Sequence, residues 1–573
     1  MNYDKYEKIV ELAKRRGFYW PSYEVYGGVA GFYDLGPLGT LLKQRIIEKW
    51  RNWFVKKHQD LVVEVETPVI TPYKVLEASG HVKHFTDPIV ECLKCGRKYR
   101  ADQLIEESSK VKVEGLSVDA LNRILREYGV RCPMCGGELG EVRLFNLLFT
   151  TTIGPYAQDV GYLRPETAQG IFVSFKRIYE AFRERLPIGI AQIGRVARNE
   201  ISPRQGMVRL REFTIMEVEF FFDPEEPECN LINECKGKLR ILPASDRAEG
   251  IEEPSEYDVN EAISEGVIKT PWLAYWMCVA RDFILDLGIP SSDMYFEEKL
   301  SHERAHYSLQ TFDQLVRISR WGWIEVSGHA YRGDYDLSMH MKFSGQEFTV
   351  FKKFKEPIVI KSKKVLVNRA LLGRLFKDKA DEVINSILST NIEDLEKLLG
   401  VGGDYIEIGQ YLIPKSSISI REVVEKVSGK RIIPHVVEPS FGAERLVLVI
   451  LDHSYHEEGD RVVLRIPRDL APIQVAVFPL VNDDALEVKA KEIYNELINN
   501  GFYVIYDDSG SIGRRYARAD EIGVPLAITV DYQTLDDSTV TLRDRDSRKQ
   551  IRVRVNYVVK AVTDFLNYKL NIE

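Results

Sequence analysis

Two arginine-rich segments lie far apart in the chain, and their residue types suit one kind of chemistry. The first, GRVARNEISPRQGMVRLREFTIMEVEFF, carries Arg198 and Glu200, then Arg204, Arg209 and Arg211, then Phe213. The second, EPSFGAERLVLVI, places Gly442 just before a run containing Arg445. Arginine presents a planar, permanently charged fork that meets phosphate or carboxylate oxygens at several points. Standing alone, either segment could be a solvated, salt-bridged surface. With an acidic strand between them, around Glu325 in GWIEVSG, they suit a site that stabilises negative charge on phosphoryl oxygens. A further pattern is CLKC, with Cys92 and Cys95, and CPMC, with Cys132 and Cys135, each followed by glycine. Two such knuckles supply four thiolates for a closed tetrahedral Zn²⁺ site, which is structural rather than catalytic. Neither pair has the strand–helix setting of a redox motif. Cys229, Cys235 and Cys278 read as free thiols, and the odd total of seven argues against a disulfide framework.

These residues need elements to position them. The segment LGTLLKQRIIEKWRNWFV puts Leu38, Leu41, Leu42, Ile46, Trp50, Trp53 and Phe54 on one helical stripe, with Gly36 and Pro37 at its start. LVVEVETPVITP reads as a strand ending at Pro68. Arg198 and Glu200 fall at the end of one strand, and Phe213 begins a return strand whose apolar–acidic alternation runs to Phe222. Residues 224–270, rich in Glu, Pro and Asn, read as an insertion or loop, and residues 365–400 as a charged helical insertion. Gly442 opens the helix that carries Arg445. After Leu470, APIQVAVFPLV, ALEVKAKEIYNELINNG and FYVIYDD alternate strand, helix and strand, with Gly501 closing the helix. That order predicts a separate α/β domain with a mainly parallel sheet.

At 573 residues the chain exceeds one ordinary domain, and roughly three or four units are expected. The net charge of −8 excludes a uniformly basic nucleic-acid binder, so any RNA contact must use local basic faces. No stretch approaches the ~20 apolar residues of a membrane span, and the first residues lack a signal peptide's apolar run, so a cytoplasmic location is the default.

The helix and strand leading to Pro68, the Arg198 hairpin and FGAER together resemble the three signature motifs of class II aminoacyl-tRNA synthetases. The resemblance covers most of the chain apart from its insertions. It implies an α+β fold: an antiparallel-sheet catalytic domain with insertions, plus a C-terminal α/β anticodon-binding domain. No dinucleotide-type glycine fingerprint in a βαβ setting contradicts this. The first motif implies a homodimer. ATP is then the co-substrate, with a site built from Arg198, Asn199, Glu200, Val208, Arg209, Leu210, Arg211, Glu212 and Phe213 on the hairpin, Glu325 and Val326 on the middle strand, and Gly442, Ala443, Glu444 and Arg445 on the third motif. Arg198, Arg445 and Glu325 carry the catalytic roles. By resemblance Arg198 holds the α-phosphate and the amino-acid carboxylate, Arg445 holds the γ-phosphate, Phe213 stacks on adenine, and Glu325 and Glu438 bind Mg²⁺.

LRPETAQG, the EPS before Phe441 and WGWIEVSGHAYRGDYDL are similar to the glycyl-tRNA synthetase family. That likeness implies glycine and tRNA(Gly) as substrates and an acidic, narrow pocket for the ammonium group, formed by Glu166, Glu217, Glu438 and Ser440 beside Phe213 and Gly442. Arg332 and Arg100 serve the carboxylate side. The family's Ala-Asp-Arg is Ala330-Tyr331-Arg332 in this chain. The implied organisation is catalytic core at 1–77 and 156–224, zinc-knuckle insertion at 78–155, insertion and helical part at 225–320, core again at 321–345 and 430–468, accessory insertion at 346–429, and anticodon-binding domain at 469–573. In that last domain TLRDRDSRKQIRVRV carries six basic residues against two acidic ones, and Arg514, Arg515 and Arg518 form a second basic cluster for tRNA. Two other readings stand beside this one: a class II synthetase for another small amino acid, and a non-catalytic synthetase-like tRNA-binding or regulatory protein.

Overall fold

The computed structural model describes residues 4–113, 115–155, 159–203 and 205–572, so Arg204 of the hairpin lies outside the described residues. The helix Pro37–Phe54 begins as its sequence dictates, with Gly36 as N-cap and Pro37 in the first turn. Leu42, Ile46, Trp50 and Phe54 are fully buried. Phe54 stacks on Trp276 of the helix Pro271–Asp286 with ring centroids 5.8 Å apart. Leu38 and Leu41 pack on the C-terminal domain beside Ile473 and Phe478. The apolar stripe is therefore buried within the chain.

The strand expected to reach Pro68 is split. Val62–Glu64 pairs in parallel with Ile188–Ala197, while Ile70–Pro72 joins a separate three-stranded sheet. Pro68 lacks the N–H that would continue the ladder.

The main sheet has nine strands. Its centre is the hairpin Ile188–Ala197 and Glu212–Phe222, followed by His435–Gly442, Gly322–Gly333 and Gln310–Ile318, all paired antiparallel. The region 224–270 is not a plain loop: Leu239–Leu242 and Ser255–Tyr257 form one end of this sheet. These strands are only three or four residues long, too short for alternation to stand out from the acidic and proline-rich text around them. The large core lies where the helices Pro37–Phe54, Pro271–Asp286 and Ala443–Ser454 cover one face of the sheet.

Residues 86–146 fold over their own small core around Val90, Tyr99, Leu104, Ile105 and Leu125, with a three-stranded sheet from Thr86–Glu91, Lys98–Arg100 and Arg143–Asn146. A second compact unit spans residues 349–432. It contains a long ribbon, Val350–Val367 against Ile418–Ile432, three helices between residues 369 and 400, and a short hairpin of Tyr405–Ile408 and Tyr411–Pro414.

The C-terminal domain has its own core and a five-stranded sheet. Val475–Pro479 pairs in parallel with Val504–Tyr506 and Leu526–Val530, but Thr539–Asp544 and Gln550–Arg554 add on antiparallel. The sheet is mixed because the last two strands form a hairpin with no crossover helix. Among the described residues no helix is long and apolar enough to cross a membrane.

Candidate active site

The two arginine segments converge on one cleft of ≈ 870 Å³. The hairpin brings Arg198 to its wall one residue beyond the strand Ile188–Ala197, and the register Val196↔Phe213 places the return strand's first aromatic alongside. The Arg198 guanidinium carbon lies 5.4 Å from the Phe213 ring centroid, and its Nε donates to the Pro165 carbonyl at 3.1 Å. Among the described residues no carboxylate lies within ion-pair distance of Arg198. Across the cleft, Gly442 caps the helix Ala443–Ser454. Arg445 on that helix donates from Nε to the Val208 carbonyl at 3.1 Å and stands 3.4 Å from Glu325 Oε2. Desolvation would raise the Glu325 carboxyl, but Arg445, Lys299 and Arg198 outweigh it and hold it below the ordinary range. Arg209 is ion-paired to Glu200 at 2.8 Å.

The inner end of the cleft is an acidic pit lined by Glu166, Glu217, Glu438 and Ser440. The register Glu217↔Ser440 explains one contact: the Ser440 hydroxyl donates to Glu217 Oε1 at 2.8 Å, while the Thr167 amide donates to Oε2 at 2.9 Å. Burial raises the Glu217 carboxyl, and the neighbouring Glu166 adds to the rise. Glu166 goes the other way. Desolvation opposes its charge, yet His81, Arg332 and Gln169 hold it well below the ordinary range. Burial pushes Glu438 up to about 8; Arg332 opposes that rise, and Glu217 and Glu166 reinforce it.

Arg332 and Arg100 do not line the cleft. Arg332, only 1% exposed, forks onto Asp336 at 2.8 and 3.0 Å and bonds Glu438 at 2.7 Å. The Tyr307 ring lies over it, 3.7 Å from ring centroid to guanidinium carbon. Arg100 forks onto Asp102 and pairs with Asp87 at 3.2 Å. Asn199, Arg211, Glu212 and Ala443 also stand outside the lining. Arg211, for example, donates to the carbonyls of Glu200 and Ala30.

Glu325 and Glu438, the two expected Mg²⁺ ligands, stand too far apart to share one ion. Glu438 stands opposite Ala330, which puts it about 16 Å from Glu325 along the sheet at ~3.3 Å per residue. Ligands of one ion must lie within a few ångströms of each other. Tyr331 bonds His435 Nδ1 at 2.6 Å, and Asp336 supplies an acid that orients Arg332. Sequence reasoning missed Tyr307 and His81, which lie in irregular or short segments without a spacing signal, and Gln169, which sits in the first turn of the helix Ala168–Ala181. Asp336 was missed too, because Arg332 ends the strand Gly322–Gly333 while Asp336 lies in the first turn of the next helix, Tyr335–Ser344.

The four knuckle sulfurs lie within 4.8 Å of one another. Each knuckle turns alike: Gly96 N donates to the Cys92 carbonyl and Gly136 N to the Cys132 carbonyl, both at 2.9 Å. Gly137 leaves room for the sulfurs, since a Cβ there would sit 3.1 and 3.2 Å from the Cys92 and Cys135 sulfurs. Burial opposes charge on Cys132, but the Tyr99 hydroxyl at 3.1 Å and nearby amides lower its thiol to about 6. These four sulfurs fit a tetrahedral soft cation.

In the C-terminal domain Arg515 is 1% exposed and donates to the Pro479, Asp508 and Gly510 carbonyls, and Arg518 bonds Asp507 at 2.8 Å. Arg514 alone of the three is exposed.

An antiparallel sheet whose hairpin and glycine-capped helix aim arginines at a nucleotide-sized cleft, joined to a separate mixed-sheet domain, defines a class II aminoacyl-tRNA synthetase. Residues 474–565 match the anticodon binding domain family. The glycine–tRNA ligase of Aeropyrum pernix is 59% identical over 567 residues, covering 98% of this chain and 97% of the relative. Those of Pyrococcus furiosus and Methanocaldococcus jannaschii are 47% and 45% identical, at 99% and 100% of this chain and all of each relative. The chain belongs to the glycine–tRNA ligase family.

Proposed function

We propose that the cleft activates glycine with ATP and passes it to the 3′ end of tRNA(Gly). The observation that carries this reading is the shared cleft of Arg198, which has no carboxylate partner among the described residues, and the acidic pit of Glu166, Glu217 and Glu438. In the first step the glycine carboxylate attacks the α-phosphorus of ATP, and pyrophosphate leaves. Arg198 is placed to meet the charge that builds on the α-phosphate, Phe213 to stack on adenine, and Arg445 to hold the far phosphate. No general base is needed, because the attacking carboxylate is already ionised. Mg²⁺, held through Glu325, would supply further charge stabilisation at the phosphates. The pit takes the ammonium group. Arg332 acts behind it by fixing Glu438, and Arg100 by fixing the segment around Asp87. Side chains larger than hydrogen are rejected by overpacking a closed, fully bonded wall.

The knuckle sulfurs Cys92, Cys95, Cys132 and Cys135 would hold a structural Zn²⁺. Arg514 is the exposed member of a basic face for tRNA. A homodimer is supported less by the buried Pro37–Phe54 helix than by the turn at Val25 and Tyr26, 90% and 89% exposed. Apolar groups that exposed suit a contact with a second copy. A ligase for another small amino acid and a non-catalytic relative are both disfavoured by the family membership. ATP–pyrophosphate exchange with single amino acids tests the reading: glycine should far outpace alanine, serine, proline and threonine, and equal exchange with any of these would overturn it.

A further inference from the structure

Three histidines, His81, His306 and His340, stand behind the acidic pit outside the cleft lining, and one of them touches a carboxylate of the pit. His81 is buried, and both of its ring nitrogens have partners. Nδ1 lies 2.8 Å from the Ser79 hydroxyl, and Nε2 lies 3.4 Å from Glu166 Oε2. An ionised carboxylate can only accept, so the ring must present N–H at Nε2. In a neutral ring Nδ1 then accepts from the Ser79 hydroxyl. In a charged ring Nδ1 donates to Ser79, whose own proton can turn to the Leu76 carbonyl at 3.3 Å.

The backbone that presents this ring is itself held. His306 Nε2 lies 3.0 Å from the Ser79 carbonyl. That approach requires Gly80, which has a φ of +84°; a Cβ there would stand 2.7 Å from His306 Nε2. The residue after His306 is Tyr307, whose ring lies over Arg332. Ser79 thus joins the support of Glu166 to the wall above Arg332. The opposite side of Glu166 is held by Gln169 at 3.0 Å, which His340 orients at 2.9 Å. Among the groups that keep Glu166 ionised against desolvation, His81 contributes most, ahead of Arg332 and Gln169.

We propose that His81 is a positioning residue for glycine recognition: its Nε2–H, braced by Ser79 and His306, fixes the Glu166 carboxylate in the pose that receives the substrate ammonium. This rests on the reading of Glu166 as an ammonium ligand. His81 touches neither nucleotide nor phosphate arginines, so its loss acts on one substrate only.

Glycine-dependent ATP–pyrophosphate exchange is measured for wild type, His81→Ala, His81→Gln and Glu166→Gln, with both substrates varied. His81→Ala raises the glycine KM about tenfold or more, the loss expected when a hydrogen bond to a charged group goes. The ATP KM moves less than about twofold, because no ground-state contact to ATP is removed. His81→Gln, whose amide nitrogen reaches the Nε2 position, recovers most of the glycine KM. Joint movement of both KM values, no movement of the glycine KM, or no recovery in His81→Gln overturns the proposal. If His81→Ala does not fold, Ser79→Ala takes its place: it should raise the glycine KM alone, and an unchanged glycine KM in the folded variant overturns the proposal. Glu166→Gln separates the two levels. Near wild-type exchange there defeats the ammonium-ligand reading itself, whereas collapsed exchange beside a silent His81→Ala defeats only the present inference.

Discussion

The guanidinium of Arg198 stands 5.4 Å from the Phe213 ring centroid, on the strand end facing the ring's own strand. One short β-ladder thus sets both the platform for a flat base and the charge that meets the phosphate attached to it. Arg198→Ala should leave the thermal midpoint nearly unchanged and cut pyrophosphate exchange by on the order of 2.7–4 kcal/mol in barrier, the cost of losing one preorganised donor. Exchange near wild type would remove Arg198 from the chemistry.

Glu219 is fully buried, and among the described residues neither carboxyl oxygen has a hydrogen-bond partner. Burial first, and then the neighbouring Glu438, push it well above the ordinary range. The folded chain therefore keeps a proton that the unfolded chain releases above about pH 4.3. Stability falls as pH climbs from that value towards the folded one, by up to about 1.4 kcal/mol per pH unit. Glu219→Gln abolishes this linkage. Its thermal midpoint relative to wild type should rise as the pH climbs above the ordinary carboxylate range, and a pH-independent difference would refute the assignment.

Arg515 and Arg514 are neighbours in sequence with opposite surroundings. Arg515→Ala leaves the buried Pro479 carbonyl and the half-buried Asp508 carbonyl without this donor, so it should lower the C-terminal domain's stability by roughly 1–3 kcal/mol, the cost of one orphaned buried group. Arg514→Ala should leave the melt unchanged and weaken tRNA charging while sparing pyrophosphate exchange. The reverse pattern in thermal scans of the two variants would show the cluster has been misread.

Protein purified without chelator should contain one Zn²⁺ per chain, by elemental analysis. Stripping it should increase hydrogen exchange across residues 90–140, whose core includes Cys92 and Cys132, and should affect pyrophosphate exchange far less. Freely titrating thiols in the native protein, with no metal, would exclude the site.

Light scattering should give twice the chain mass. Introducing charge at the exposed turn, as Val25→Asp with Tyr26→Lys, should shift the mass towards a monomer without loss of helix signal. A dimer indifferent to that change would place the contact elsewhere.

The parts of the site legible in the sequence are those whose chemistry is local. Arg198 and Phe213 flank one hairpin, Arg445 follows its glycine cap, and the knuckle cysteines announce themselves by spacing. What stayed hidden depends on register. Nothing in EPSFGAER says that Glu438 falls opposite Ala330 rather than near Glu325, and that single fact separates two expected ion ligands. Glu217 and Glu219 look alike in FTIMEVEFF, yet one is bonded to Ser440 and Thr167 and the other has no hydrogen-bond partner among the described residues. The free and engaged arginines of the C-terminal cluster differ only in which carbonyls the folded loop turns inward. The three-residue edge strand Ser255–Tyr257 was invisible because its stabilisation comes from the sheet it joins rather than from its own pattern.

The unit at 349–432 interrupts the chain between two neighbouring strands of the main sheet, and its first and last strand residues, Val350 and Ile432, are partners in one ladder. Its two ends therefore stand about 5 Å apart, the spacing of adjacent strands. A gap of that width can be bridged by a two-residue turn or occupied by any folded cargo whose termini meet. The catalytic sheet carries, in effect, a socket: a point where whole modules can be exchanged over evolutionary time without disturbing the register that aligns Glu217 with Ser440.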